Sequence, residues 1–169
     1  MRRYDEIYSE NIPFKLIKYI VLLEGGIGAA FLVLYMVQLN GSLGIEDELP
    51  QWYFLLMALI MFGIAAFLYN LRCLHIGITS NMMRASLGFI KFSVPLSDIE
   101  NVYMDEKSSM KYGGWGVRIR KYKEGWVLAY TTFGYKRVGV ELKEHKYKRF
   151  VFSTARPEEV IDSIKRQMR

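Results

Sequence analysis

Two long apolar runs occupy the first half of the chain. Residues 19–38 carry a single charge, Glu24, and residues 52–71 carry none. Neither run has the polar stripe that a surface helix shows, and at 1.5 Å per residue each is long enough to cross about 30 Å of hydrocarbon. The pattern therefore predicts a transmembrane hairpin with spans 19–38 and 52–71 and a short connecting loop, 39–51.

Basic residues flank the two runs at the outer ends of the hairpin, whereas the connecting loop is acidic. The positive-inside rule places the basic flanks in the cytoplasm and the acidic loop outside. We therefore expect a cell-membrane protein with two spans and both termini cytoplasmic, consisting of an N-terminal segment 1–18, the hairpin 19–71 and a cytoplasmic domain 72–169. The flanking cations are Arg2, Arg3, Lys15, Lys18, Arg72, Arg84 and Lys91, and the loop anions are Glu46, Asp47 and Glu48.

Small residues recur within both runs. They include Gly25, Gly26 and Gly28 in the first and Gly63 in the second. Small side chains let helix backbones approach closely. These glycines are therefore predicted to pack helices together, either within one hairpin or between copies of the chain. The second alternative would make the protein a homo-oligomer.

Glu24 is the one ionisable side chain inside a predicted span. Such residues are candidates for function because a charge in hydrocarbon is costly. Its shallow position also suits a carboxylate that reaches the interface or pairs with Lys18. Both interpretations stay open at this point.

Short alternating stretches separated by turn residues replace the apolar runs after residue 72. The period of two is clearest where Val138, Val140 and Leu142 alternate with polar residues. A helix with an acidic first turn and a basic last turn follows from Pro157. The fold class predicted is membrane α + β: a two-helix transmembrane hairpin, then a small antiparallel β-barrel closed by a C-terminal helix. The eight predicted strands are 74–79, 83–87, 90–94, 99–105, 116–120, 126–131, 137–143 and 147–153.

The charge of the chain is concentrated in its second half. Residues 72–169 contain 19 Lys and Arg against 10 Asp and Glu, whereas residues 1–71 contain 4 against 7, giving +9 and −3 and the net +6 of the chain. A basic half commonly faces an anionic partner. The candidate lipid-binding or partner-binding residues are Arg118, Arg120, Lys121, Lys123, Lys136 and Arg137, with a merely solvated face as the alternative.

Residue types that carry catalytic or metal chemistry are sparse. The single cysteine, Cys73, excludes an internal disulfide, and His75 and His145 lie far apart in sequence. The glycines around Trp115 lack the third glycine and the following helix of a nucleotide loop. We therefore predict no enzyme, catalytic residue, metal or cofactor. We also predict no nucleic-acid partner, because the alternation assigns Trp126 to packing and no RNA-binding signature appears. The same alternation points Val117 and Ile119 toward the core.

Three stretches of the sequence are distinctive: "ITSNMMRASLGFIKFSVPLSDIENV" (78–102), "YGGWGVRIRKYKEGWVLAYTTFGYKRVGVEL" (112–142) and "FVFSTARPEEVIDSIKR" (150–166). They resemble prokaryotic membrane proteins in which a transmembrane hairpin precedes a pleckstrin-homology-like domain. The resemblance implies a pleckstrin-homology-like fold. The role of that group is mostly unassigned, and the stretch 79–86 has only Arg84 where phosphoinositide-binding relatives carry several basic residues.

These observations favour a non-catalytic integral membrane protein whose cytoplasmic domain is a protein-interaction or self-assembly module at the membrane surface. The first alternative is an anionic-lipid sensor that uses the basic face. The second alternative is an accessory subunit of a membrane enzyme or transport complex that uses Glu24. The expected partners are membrane lipids and an unidentified membrane or cytoplasmic protein.

Overall fold

The chain divides into two units in the structure, which is a computed structural model. It describes residues 6–40, 50–107, 109–143 and 145–168. The helical unit is formed by residues 15–72, and the β unit combines the residues that precede and follow it. Arg2, Arg3 and the acidic residues Glu46, Asp47 and Glu48 lie outside the described residues.

The helical unit consists of α1 (Lys15–Leu39) and α2 (Gln51–Asn70). Both helices are long and apolar enough to span a membrane. Gly28 lies in their contact, because a Cβ atom there would be 3.3 Å from side-chain atoms of Met61 and Phe62. Large apolar side chains elsewhere on both helices, such as Leu23 and Leu59, are exposed.

The β unit contains two sheets followed by a C-terminal helix. One sheet has four strands in the order β1-β2-β3-β4, and the other has five in the order β5-β8-β9-β7-β6. The bounds are β1 Glu6–Pro13, β2 Cys73–Thr79, β3 Met82–Leu87, β4 Ile90–Pro95, β5 Ile99–Asp105, β6 Gly116–Tyr122, β7 Gly125–Thr131, β8 Lys136–Leu142, β9 Arg149–Thr154 and α3 Pro157–Gln167.

The expectation of an antiparallel barrel is corrected in two respects. β7 and β9 pair in parallel, because β8 lies between them in sequence but on the other side of β9 in the sheet, so the five-stranded sheet is mixed. The described strands also form two sheets rather than one closed barrel. A β-strand region followed by a C-terminal helix is confirmed.

β1 lies in a segment to which the sequence analysis assigned no strand. Its side chains alternate, with Tyr8, Glu10 and Ile12 buried and the residues between them exposed. It pairs antiparallel with β2, so that Pro13 lies opposite Cys73. The strand just before α1 therefore pairs with the strand just after α2.

Glu10 joins β1 to the end of β9. Its buried carboxylate accepts hydrogen bonds from the Tyr8 hydroxyl (2.8 Å), the Thr154 hydroxyl (2.5 Å) and the Ala155 backbone N–H (2.9 Å). Three donors compensate for the removal of a carboxylate from water. This contact fixes the N-terminal strand against the strand that leads into α3.

The strands of the two sheets cross. Glu10 on β1 bonds Thr154, whereas Phe92 on β4 packs on Phe150 with ring centroids 4.7 Å apart. Thr154 and Phe150 are separated by about 13 Å along β9, and β1 and β4 by about 14 Å across their sheet, from the usual strand dimensions. β9 therefore runs across the four-stranded sheet from β1 to β4.

This crossing decides which ends of the sheets meet. The 3-10 turn Leu96–Asp98 connects β5 to the end of β4, and Lys143, directly after β8, donates its backbone N–H to the Asp98 carbonyl there. At the other side, Trp115, directly before β6, packs on Phe14, directly after β1, at 6.0 Å. β6 thus lies at the end of the four-stranded sheet where Pro13 faces Cys73, named here the helix end because the chain continues there into α1 and from α2.

Replacing Glu10 by Ala is expected to destabilise the β unit by about 1–3 kcal/mol, because three donors, two of them in buried hydrogen bonds, lose their acceptor. Thermal unfolding of the purified chain in detergent, followed by near-ultraviolet circular dichroism, measures this. Ser9→Ala, at an exposed position of the same strand, is the matched control. Equal midpoints for the two variants would contradict the assigned role of Glu10.

Candidate interaction surface

β6 is an edge strand that carries cations and no acidic residue. It pairs only with β7 among the described strands, with Arg118 opposite Ala129 and Arg120 opposite Val127. Gly113, Gly114 and Gly116 precede or begin it with φ of 96°, 89° and 95°. These left-handed backbone conformations suit glycine, which has no Cβ atom.

Two of the predicted binding residues support the chain segment before β6. Arg118 Nε donates to the carbonyl of Gly113 (3.3 Å), and Arg120 Nη1 donates to that of Lys111 (2.8 Å). The Tyr122 hydroxyl also donates to Lys111 O, at 2.7 Å. Both guanidinium groups remain exposed and have further N–H groups, so they hold this loop and still present positive charge.

A small second core lies under the same loop, on the outer face of the five-stranded sheet. Tyr112 packs there on Val127, Ala129 and Val151. Burial raises the pKa of the Tyr112 phenol well above its ordinary value, and the neighbouring Asp105 carboxylate raises it further. The phenol therefore stays neutral and serves packing.

The six predicted cations do not form one patch. Lys121 is on the opposite face of β6 from the two arginines, with its Nζ 5.9 Å from the centre of the Trp126 ring, and Lys123 lies in the following turn. Lys136 and Arg137 begin β8, which β9 and β7 separate from β6 by about 14 Å at ordinary strand spacing. The structure thus keeps Arg118, Arg120, Lys121 and Lys123 on β6 and the turn after it, with Lys121 on the face opposite the arginines, and places Lys136 and Arg137 elsewhere.

Two residues predicted to lie in the core are exposed. The exposed fractions are 53% for Ile119 and 43% for Trp126. Alternation correctly put them on the inner face of their strands, but that face is left uncovered at the edge of the sheet. The strand order, which the sequence did not reveal, decides whether these side chains are buried or exposed.

A groove of about 360 Å³ lies between β1 and α3, at the other corner of the β unit. Arg156 Nη2 donates to the Ser9 carbonyl at 3.4 Å, so this backbone group points away from β2. The guanidinium also lies 5.0 Å from the Tyr8 ring centre. The groove is lined by Ile7, Tyr8, Ser9, Arg156, Glu159, Asp162, Ser163 and Arg166.

No known protein family, curated protein or solved structure matches this chain. Its function must therefore be argued from its own residues.

The predicted intramembrane residues occupy different positions on the helices. Glu24 is half-buried on α1 and forms no ion pair with Lys18 within the described residues. Positions for a Cβ on Gly25, Gly26 and Gly63 have no neighbouring atom within 4 Å. Of the four predicted packing glycines, Gly28 alone lies in the contact between α1 and α2.

Among the described residues, no three His, Cys, Asp or Glu side chains are grouped as metal ligands would be. A small cavity of about 160 Å³ lies beside Arg149, whose guanidinium contacts Glu124 at 2.7 Å and Glu141 at 3.8 Å. The charges of the arginine and the two carboxylates neutralise one another, as in an ordinary surface ion-pair network.

Replacing Arg120 by Ala is expected to raise hydrogen exchange in residues 109–116 several-fold, because the loop loses its bond from the guanidinium to Lys111. Lys123→Ala removes a nearby cation without a bond to this loop and is the control. Exchange mass spectrometry of the full chain in detergent measures the effect. Unchanged exchange in the Arg120 variant would show that the loop is held without this bond.

Alkaline conditions are expected to destabilise the β unit. Burial, as the largest cause, raises the pKa of Tyr8, Tyr103 and Tyr130 from 10.0 to about 12. Above pH 10 the unfolded chain loses these phenolic protons while the folded chain keeps them, so the free energy of unfolding falls until about pH 12.

Phenolate absorbance measured against pH checks the shifted titration, and Tyr130→Phe should remove one late-titrating group. Titration of every tyrosine near pH 10 while the protein remains folded would contradict these pKa shifts.

Proposed function

We propose that this chain is an integral membrane protein with two spans and both ends in the cytoplasm. The pairing of β1 with β2 supports the proposal, because two strands in one ladder must lie in the same compartment. The helices that separate them must then cross the membrane an even number of times. The basic flanks assign that compartment to the cytoplasm.

The β unit is, in this proposal, a pleckstrin-homology-like domain. Two crossing sheets followed by a C-terminal helix suit that fold, and Val160 and Ile164 bury one face of α3 in the unit. The additional strand β1 and the parallel pair β7–β9 are features of this chain.

The proposed function of this domain is the non-catalytic docking of proteins at the membrane surface. The observation that carries it is the free edge of β1 beside α3. The Ser9 carbonyl points outward to Arg156, and in an antiparallel ladder the N–H of the same residue points to the same side. An extended peptide can therefore add to this edge as a further strand.

The groove next to this edge offers recognition of side chains. Arg156 and Arg166 provide positive charge, and Glu159 and Asp162 provide negative charge, while Ile7 is an exposed apolar contact. Mixed charges favour a partner segment with both signs over a purely acidic or basic one. Such a segment can come from another protein or from β1 of a second copy.

Replacing Ser9 by Pro is expected to abolish docking, because proline removes the outward N–H and leaves the bonds from the neighbouring residues to β2 in place. A photo-crosslinking amino acid at Ile7 in the full chain, in native membranes, measures docking as a discrete adduct. Ser9→Ala keeps the N–H and should retain the adduct.

Equal adducts in the proline and alanine variants, or no adduct in either, would contradict strand addition at β1. An adduct of twice the mass of the chain identifies the second copy as the partner. Circular dichroism of the proline variant verifies that the β unit is folded.

A further inference from the structure

The helix end of the β unit carries more than the two chain connections. Chain connectivity puts Phe14 next to the first residue of α1, and Trp115 packs on Phe14. β6 begins one residue after Trp115. Because the strands of the two sheets cross, the about 23 Å length of β6 runs along the helix end rather than away from it.

The turn between β3 and β4 lies at the same end of the four-stranded sheet. Leu74, the second residue of β2, is opposite Leu87, which in turn is opposite Ile90. Phe89 lies in the turn between Leu87 and Ile90, beyond the last paired row. It is therefore level with the points where the chain leaves for α1 and returns from α2.

Large apolar side chains are exposed on this side although the rest of the β unit has a well-filled core. The exposed fractions are 71% for Phe89 and 45% for Ile90, in addition to those of Ile119 and Trp126. Exposed apolar groups that cluster on one side of a domain indicate an interaction surface. A tryptophan with an apolar body and a polar N–H is typical of a membrane interface.

Cations accompany these apolar groups. Lys91 follows Ile90, and Lys121 lies against Trp126. Lys123 is in the turn that connects β6 to β7. β6 and this turn contain one acidic residue, Glu124, and it is paired with Arg149. The combination of exposed aliphatic, aromatic and basic side chains matches an anionic bilayer interface, where rings insert at headgroup level and cations face phosphates.

We propose that this surface, consisting of Phe89, Ile90, Ile119, Lys121 and Trp126, lies on the cytoplasmic leaflet and contacts its anionic lipids. The inference rests on the membrane hairpin of the proposed function. Lipid is the occupant because both helices connect to the β unit at this end, so the bilayer is the nearest partner that chain connectivity supplies. The docking groove beside β1 lies toward the opposite end of the four-stranded sheet and stays accessible from the cytoplasm.

Lipid contact can be measured with an environment-sensitive fluorophore on single cysteines in the full chain, after Cys73→Ser. Phe89→Cys and Ile119→Cys test the proposed surface, and Asn81→Cys, in the exposed turn at the other end of the same sheet, is the matched control. The labelled chains are reconstituted in vesicles of phosphatidylcholine and phosphatidylglycerol with or without brominated acyl chains. Quenching at positions 89 and 119 is expected to exceed that at position 81 several-fold.

Equally weak quenching at positions 81, 89 and 119 would overturn the inference. A label at Leu32→Cys, on an exposed position of α1, separates this failure from failure of the hairpin itself. Quenching at position 32 without quenching at 89 and 119 rejects only the lipid contact of the β unit and leaves the hairpin standing. No quenching at position 32 rejects the membrane span itself.

The electrostatic part of the contact has its own control. Lys121→Glu with Lys123→Glu is expected to reduce quenching at position 119 several-fold and to leave position 32 unchanged. The reduction should disappear in vesicles of phosphatidylcholine alone. Quenching that is insensitive to both the charge reversal and the lipid would contradict recognition of anionic headgroups.

Discussion

The antiparallel pairing of β1 with β2 is the contact on which the rest of the molecule depends. It joins a strand that precedes α1 to a strand that follows α2, with Pro13 opposite Cys73. Backbone hydrogen bonds require direct contact, so the strand before α1 and the strand after α2 lie side by side. A single residue, Phe14, separates β1 from α1, and two residues separate α2 from β2. The β unit is therefore built from chain segments on both sides of the helical unit.

The same strand also joins the two sheets of the β unit. Glu10 binds β1 to the end of β9, and the crossing of the sheets then places β6 at the helix end. Two surfaces of different chemistry result. The edge of β1 with α3 has outward backbone groups and charges of both signs, whereas the β6 side combines exposed apolar rings with cations. The proposed protein docking at the first surface and the proposed lipid contact at the second are compatible, because the two surfaces lie at opposite ends of the four-stranded sheet.

Local patterns in the sequence predicted most individual elements. Uninterrupted apolar runs predicted α1 and α2, alternation predicted the eight strands from β2 to β9, and Pro157 marked the start of α3. β1 was missed because its inward positions include Glu10, which a sequence pattern assigns to the surface unless its three hydrogen-bond donors are known. The parallel contact of β7 with β9 depends on residues far apart in sequence, and no local pattern encodes it.

The candidate site shows the same division between local and long-range information. The positive charge near β6 was evident from the sequence, whereas the positive φ of the glycines before it is seen only in the structure. The separation of Lys136 and Arg137 from this group required the strand order. The exposure of Ile119 and Trp126 also required it, because alternation gives the face of a strand but not whether another layer covers that face.

A cross-strand disulfide tests the central pairing most directly. Asn11 on β1 lies opposite His75 on β2, and Asn11 Oδ1 is 2.9 Å from His75 Nδ1. The account predicts that Asn11→Cys with His75→Cys, in a Cys73→Ser background, forms an intramolecular disulfide on mild oxidation in native membranes. Two thiols that stay reduced there, and that react with an impermeant reagent from opposite sides of the membrane, would contradict it.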